Sequence, residues 1–400
     1  MTNRLTGIEM NNMKGQTLTK GLVLLMSVTC GLAVANLYYN QPLLADMGRT
    51  FHARSHQVGN ISMFTQIGYA IGMFLFVPLG DMRERRQLIS ILLAAVTVAL
   101  IGVATAQNLP WIYIASLAVG ITTVVPQVII PLAAQLAEPL ERGKVIGSVM
   151  SGLLFGILLA RTISGFIGGS FGWRAMYWLA AVLMLALAII LRRFLPRSYP
   201  EATLTYRQVL NSLGNLIVTQ PTLREASLVG ALLFGGFSVF WTSLAFYLEG
   251  APYYFGSQVT GLFGLVGVIG AAAAPFVGRL ADRFSPKSMV GVFILVTLLS
   301  YLFFGLLGST VWGLIIGVIL LDLGVQGAQV SNQTRIYSLV PEARSRLNTV
   351  FMVTYFLGGS LGSSLGSYAW NMWKWQGVCL TGGIMIVLGF IVWGIYRLKK

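Results

Sequence analysis

Two charged residues stand where this chain can least accommodate charge. Asp322 and Arg161 each lie inside a long apolar run. A charged side chain surrounded by hydrocarbon costs on the order of a few kcal/mol or more, so it turns towards protein, water or a ligand. Low dielectric also disfavours the charged form of a carboxylate, which suits a group that must exchange its charge for a proton. Gln326, Gln329 and Gln333 follow Asp322 at i+4, i+7 and i+11, one stripe on a helix. A polar stripe on an otherwise apolar helix must face inward, so this helix is expected to line a route, with Asp322 as a functional rather than purely structural group. Arg161 reads in two ways: as a site charge facing a cavity, or as a structural ion pair or a side chain snorkelling to the outer surface.

Uncharged candidates lie on other runs. In Asn36-Leu37-Tyr38-Tyr39-Asn40-Gln41-Pro42-Leu43 the two asparagines are four apart and share a helical face. With Tyr39 they either contact a substrate or bond to neighbouring helices. Gln127 sits between Pro126 and Pro131, where missing backbone donors interrupt a helix and mark a pathway. Trp241 either lines a pocket or packs, and Tyr247 is assigned to the interfacial aromatic belt. Asp46 and Glu249 are placed near the outer mouth and His52 and His56 in an outer loop, where water makes them tolerable without a function. The sequence has no phosphate-binding glycine loop and no metal-ligand spacing. ATP hydrolysis, metal catalysis and a bound cofactor are therefore not expected. Cys30 and Cys379 lie in apolar runs, which implies no disulfide framework.

These residues need elements to hold them, and composition says which. With 56% hydrophobic and 10% charged residues and a mean hydropathy of +0.76, the chain is too apolar for a soluble domain of 400 residues. A spanning helix needs about 20 mainly apolar residues. Twelve such runs are expected, at 20–42, 57–79, 88–107, 111–135, 145–168, 175–194, 224–248, 258–280, 288–307, 311–335, 347–370 and 375–396. An all-α polytopic membrane protein is the fold class, because the runs lack the alternation of a membrane barrel. The net charge of +15 does not point to nucleic acid, because most of the Lys and Arg fall in segments on one side. Arg49, Arg54, Arg174 and Lys374 lie on the other side, and Arg161 lies within a span. That bias puts both termini in the cytoplasm. Residues 1–195 form one six-helix unit and 224–400 a second, joined by a cytoplasmic linker over 196–223. In the linker Tyr206, Val209, Leu210, Leu213, Leu216 and Ile217 recur at helical spacing, an amphipathic helix on the lipid surface. The polar stretch Met1 to Lys20 does not read as a cleavable signal. A monomer is expected.

The two units carry related charged turns. Pro78-Leu79-Gly80-Asp81-Met82-Arg83-Glu84-Arg85-Arg86 follows the second run, and Gly278-Arg279-Leu280-Ala281-Asp282-Arg283-Phe284-Ser285-Pro286-Lys287 occurs about half a chain later. This turn resembles the signature loop of the major facilitator superfamily, G-x-L-x-D-R-x-G-R-R. Asp81, Arg85 and Arg86 match in the first copy, where Val77, Met82 and Glu84 depart from the pattern. Gly278, Leu280, Asp282 and Arg283 match in the second. The resemblance implies two pseudo-symmetric six-helix bundles around a cavity, with runs 1, 4, 7 and 10 as its lining. It also makes the two turns conformational switches, where carboxylate–guanidinium bonds break as the halves rock.

The Asn36–Leu43 phrase and Arg344-Ser345-Arg346-Leu347-Asn348 resemble the bacterial branch of that superfamily grouped with drug:proton antiporters. The fifth run is similar to that branch's Gly-Pro-x-x-Gly-Gly signature, but Arg161 stands where the proline is expected. In the fourth run Ser116 stands where the branch often has an arginine. Aligning Trp173 with Trp375 sets Arg161 against Ser363 and Asp322 against Gly120, so each charge belongs to one half only. The resemblance implies a non-enzymatic secondary transporter of the bacterial inner membrane, moving a small organic molecule and protons, with efflux by antiport as the leading reading. Uptake or facilitated diffusion of a metabolite, such as an anion drawn by Arg161, is the alternative, and a non-transporting membrane sensor is an alternative of another class.

Overall fold

A computed structural model describes residues 18–80, 82–138, 140–198, 205–281, 285–340 and 343–398, with backbone only over 271–281 and at 398. Among the described residues the chain is helical without strands: α1 (Lys20–Ala35), a 3-10 turn (Gln41–Leu43), α2 (Leu44–Phe51), α3 (Ser55–Gly80), α4 (Arg85–Ala104), α5 (Leu109–Thr122), α6 (Val125–Leu136), α7 (Arg142–Phe171), α8 (Trp173–Phe194), α9 (Tyr206–Thr219), α10 (Pro221–Glu249), α11 (Ser257–Ala281), α12 (Pro286–Leu307), α13 (Val311–Tyr337) and α14 (Arg344–Leu398). Nine spans among these residues are long and apolar enough to cross a membrane, counting α5 with α6 as one, and α1 and the start of α11 are shorter apolar helices. Apolar side chains also coat the outside, Val98, Ile114 and Leu306 among them. A soluble protein would bury such residues, whereas lipid solvates them at no cost.

Side chains close the helix starts. Thr19, Asn108, Ser285 and Thr310 each accept a backbone N–H at the head of α1, α5, α12 and α13. Glu84 heads α4 by accepting from the N–H groups of Arg86 and Gln87 at 3.0 and 2.9 Å.

Two breaks differ from the expected runs, each for a local reason, and a third falls where a boundary was expected. The fourth run is two helices, because Pro126 has no N–H to offer Thr122 and the chain leaves helical geometry at Thr123 and Val124. The first run stops being an α-helix at Ala35, and the backbone bonds of Asn36, Leu37, Tyr38 and Gln41 reach back three residues. Tyr39 still reaches back four residues to Ala35, so the segment mixes 3-10 and α-type turns. The last two runs are continuous in α14 except at Trp373 and Lys374, where Lys374 adopts φ 51° and ψ −143°. The matching turn between α7 and α8 uses Gly172 at φ 84°. Tyr247 packs against protein rather than facing outward. It is buried, stacks on Trp375 at 3.9 Å between centroids and donates to the Gly308 carbonyl at 3.0 Å.

α9 buries Val209, Leu213 and Leu216 and leaves Ile217 exposed. Its last carbonyls accept from Arg224, at 2.9 Å to Ile217 and 2.6 Å to Val218.

Crossing helices join residues 18–198 to residues 221–398. At one crossing α3 meets α14, where Gln66 Nε2 donates to Ser363 Oγ at 3.0 Å and Tyr69 lies edge-on to Phe356 at 4.5 Å. At the other α7 meets α11, where Thr162 Oγ1 donates to the Gly261 carbonyl at 2.9 Å and Gln258 Nε2 to Ser170 Oγ at 3.1 Å. Both run towards the end of the bundle that carries Ser55, Phe171, Glu249 and Ser257. At that end Arg49 also bridges Asp46 and Glu249.

Candidate functional site

Arg161 lies on α7 and is 1% exposed. The tightened turn after α1 brings Gln41 to it, and Gln41 Oε1 accepts from Arg161 Nε at 2.6 Å. Aromatic rings supply the rest of its surroundings. Its guanidinium carbon is 4.0 Å from the Trp241 ring centroid, 4.9 Å from Tyr38 and 5.6 Å from Phe237. A desolvated cation over such faces gains about 2 kcal/mol, which offsets part of the burial cost. Arg161 Nη2 and Trp241 Nε1 are nevertheless buried without hydrogen-bond partners.

Asp322 lies on α13 and is also 1% exposed. Its Oδ2 is sealed without a hydrogen-bond donor. What faces it is glycine. Gly261, Gly264, Gly267 and Gly270 recur every three residues on α11. A helix turns about 100° per residue, so each step of three falls 60° short of a full circle and the stripe winds around the helix. Gly261 and Gly264 thus face α7, where a Cβ at Gly264 would meet Arg161 Cβ at 2.9 Å. Gly267 and Gly270 face α13, where a Cβ at Gly267 would meet Asp322 Oδ2 at 3.1 Å. One helix therefore packs against both charged residues. Among the described residues no ion pair joins Arg161 to Asp322, although each lies in the other's Coulombic field.

The remaining expected residues distribute around this centre. Asn36 is buried with neither polar atom of its amide bonded. Asn40 is engaged with α3, accepting from Ser62 at 2.9 Å and donating to Thr65 at 3.4 Å. Tyr39 is buried, and Gln127 donates to Tyr69 at 3.2 Å. Gln329 accepts from Tyr355 of α14 at 3.2 Å, while Gln326 is half-buried. Of the switch residues, Arg85 Nε donates to the Gly80 carbonyl at 2.8 Å and its Nη1 to Gln135. Arg86 reaches the Leu195 carbonyl at 3.2 Å. Gly278 falls in the last turn of α11, and Asp81, Asp282 and Arg283 lie outside the described residues.

Sequence reasoning missed several members. Gln41, Tyr38 and Phe237 join Arg161 only in three dimensions. Ser363 accepts from both Gln66 and Thr242, each at 3.0 Å. A second buried carboxylate, Glu225 of α10, pairs with Arg335 of α13 at 2.7 Å, and Asn332 accepts from the same guanidinium at 3.1 Å. Its position at the head of a run hid it, since charges at span ends are ordinary.

An all-helical chain with a lipid-compatible exterior and opposite charges buried at its centre is, by fold and site, a polytopic membrane carrier. It belongs to the major facilitator superfamily, whose family model matches residues 25–273 and 226–400. It is 42% identical over 382 residues to the "uncharacterized transporter YgaY" of Escherichia coli O157:H7, covering 95% of this chain and 97% of that one. A Streptomyces coelicolor chain named as a transporter is 33% identical over 367 residues, 92% of this chain and 85% of that one. Among solved structures, a D-xylose–proton symporter shares the fold with a TM-score of 0.73 at 16% identity, covering 93% and 96% of the two chains. The protein is thus a multi-pass membrane transporter and not an enzyme.

Proposed function

We propose that this transporter exports a small organic molecule in exchange for protons, with Asp322 as the coupling group. The observation that carries the reading is the setting of Asp322: 1% exposed and without a hydrogen bond or ion pair among the described residues. A carboxylate so placed is stable when neutral and available to a cationic group or an aqueous opening when charged. The proposal includes twelve crossings in two rocking units, residues 1–195 and 224–400, joined by the linker 196–223. It places both termini in the cytoplasm of a bacterial inner membrane and takes the working unit to be a monomer. The hydrogen bonds at the α3–α14 and α7–α11 crossings support a state closed at the Glu249 end, which leaves the Glu225 end as the route of entry. Asn36, Tyr39, Asn40, Gln127, Trp241, Gln326 and Gln329 are assigned to the route, and Asp81, Arg85, Arg86, Gly278, Asp282 and Arg283 to the switch between states.

The test is substrate-evoked proton movement in proteoliposomes with a pH dye inside, using cationic, neutral, anionic and zwitterionic compounds. Proton flux that requires both substrate and Asp322, and disappears in Asp322→Asn, is the expected result. Substrate movement with no proton flux, or full coupling in the variant, refutes it. The unpartnered Arg161 Nη2 favours a second reading, facilitated movement of an anionic metabolite. In that case flux is proton-independent and is lost in Arg161→Gln but not in Asp322→Asn.

A further inference from the structure

The two buried charges lie on opposite halves of the chain, Arg161 on α7 and Asp322 on α13. Neither has an ion-pair partner among the described residues, and each has a buried polar atom with nothing bonded to it. Unpartnered buried charges are strongly disfavoured unless a ligand completes them. A ligand with a single charge would satisfy one and leave the other exposed to low dielectric. The groups around Arg161 narrow the class further, since Tyr38, Phe237 and Trp241 present ring faces and Trp241 Nε1 is a second unused donor. The glycine stripe of α11 lets α7 and α13 pack close against one helix, which holds Arg161 and Asp322 on neighbours of the same element.

We propose that the site takes a small aromatic zwitterion, its carboxylate on Arg161 and the Trp241 Nε1 donor, its ammonium on Asp322. This inference rests on the transport reading above and names the substrate class of that site. It also supplies the coupling. The ammonium and the proton compete for one carboxylate, so release of one accompanies capture of the other. A ligand that touches both halves favours the conformation in which they are close, and a conformational change follows from such a difference in affinity.

The experiment is equilibrium binding by titration calorimetry to the purified full chain. Phenylalanine and tryptophan each form a matched set of four: the zwitterion, the N-acetyl anion, the methyl ester cation and the doubly blocked neutral compound. The zwitterion is expected to bind at least about tenfold more tightly than either singly charged form, as the loss of one charge-assisted contact implies. In Arg161→Gln the acid and its methyl ester should bind alike, and in Asp322→Asn the amine and its N-acetyl form should bind alike. Arg161→Lys and Asp322→Glu keep the charges and should keep the preference, which separates recognition from misfolding. Equal binding of the cation overturns the role of Arg161, and equal binding of the anion overturns that of Asp322. If neither set binds while other compounds drive proton flux through Asp322, the substrate class is wrong and antiport stands. If the zwitterion binds and moves without proton flux, the substrate class stands and antiport falls.

Discussion

At the scale of single residues, burial separates two kinds of charge. Arg161 and Asp322 are buried apart, whereas Glu225 and Arg335 are buried together, with Asn332 as a third partner. A buried pair costs desolvation that its attraction roughly offsets, but removing one member strands the other. Glu225→Ala is therefore expected to lose roughly 3–5 kcal/mol of stability, read as a fall in the melting temperature of the purified protein. Replacing both, with Glu225→Leu and Arg335→Met, should recover most of that loss. A single variant as stable as the parent would show that the pair holds nothing together.

At the scale of elements, Lys374 occupies backbone geometry that suits glycine, as Gly172 shows at the matching turn of the first half. A side chain there costs about 1–3 kcal/mol. Lys374→Gly should raise the melting temperature, while Lys374→Ala, which keeps the Cβ, should not; equal melting of the two would remove the strain argument. The long elements themselves were legible in the sequence, because about 20 apolar residues between charged turns leave few alternatives to a helix. Asp322 and Arg161 stood out for the same reason. The turns of 3-10 geometry after Ala35 were not legible, since Asn36-Leu37-Tyr38-Tyr39 contains no breaker. That turn decides where Gln41 goes, so the bond between Gln41 and Arg161, 120 positions apart, was hidden with it. The winding of the α11 glycines follows from their period of three. Which helices they face depends on packing, which no single sequence prints.

At the scale of the whole molecule, the crossings α3–α14 and α7–α11, and Arg49 between Asp46 and Glu249, tie the two parts together towards the Glu249 end. Alternating access requires those contacts to part. Arg49→Cys with Glu249→Cys, joined by a short reducible thiol reagent after Cys30 and Cys379 are replaced, should stop transport, and reductant should restore it. Transport that continues through the cross-link would mean that this end does not open in the cycle. The burial of both Arg161 and Asp322 has an electrical consequence as well. With both ionised the buried centre sums to zero, and the proposed zwitterion would add nothing, so the loaded carrier would reorient without feeling the membrane voltage. Once Asp322 takes a proton the same centre carries one positive charge, and moving it across 100 mV is worth about 2.3 kcal/mol. On the proposed antiport, a voltage negative inside would then drive only the return stroke, and the direction of transport would follow from which step carries the current.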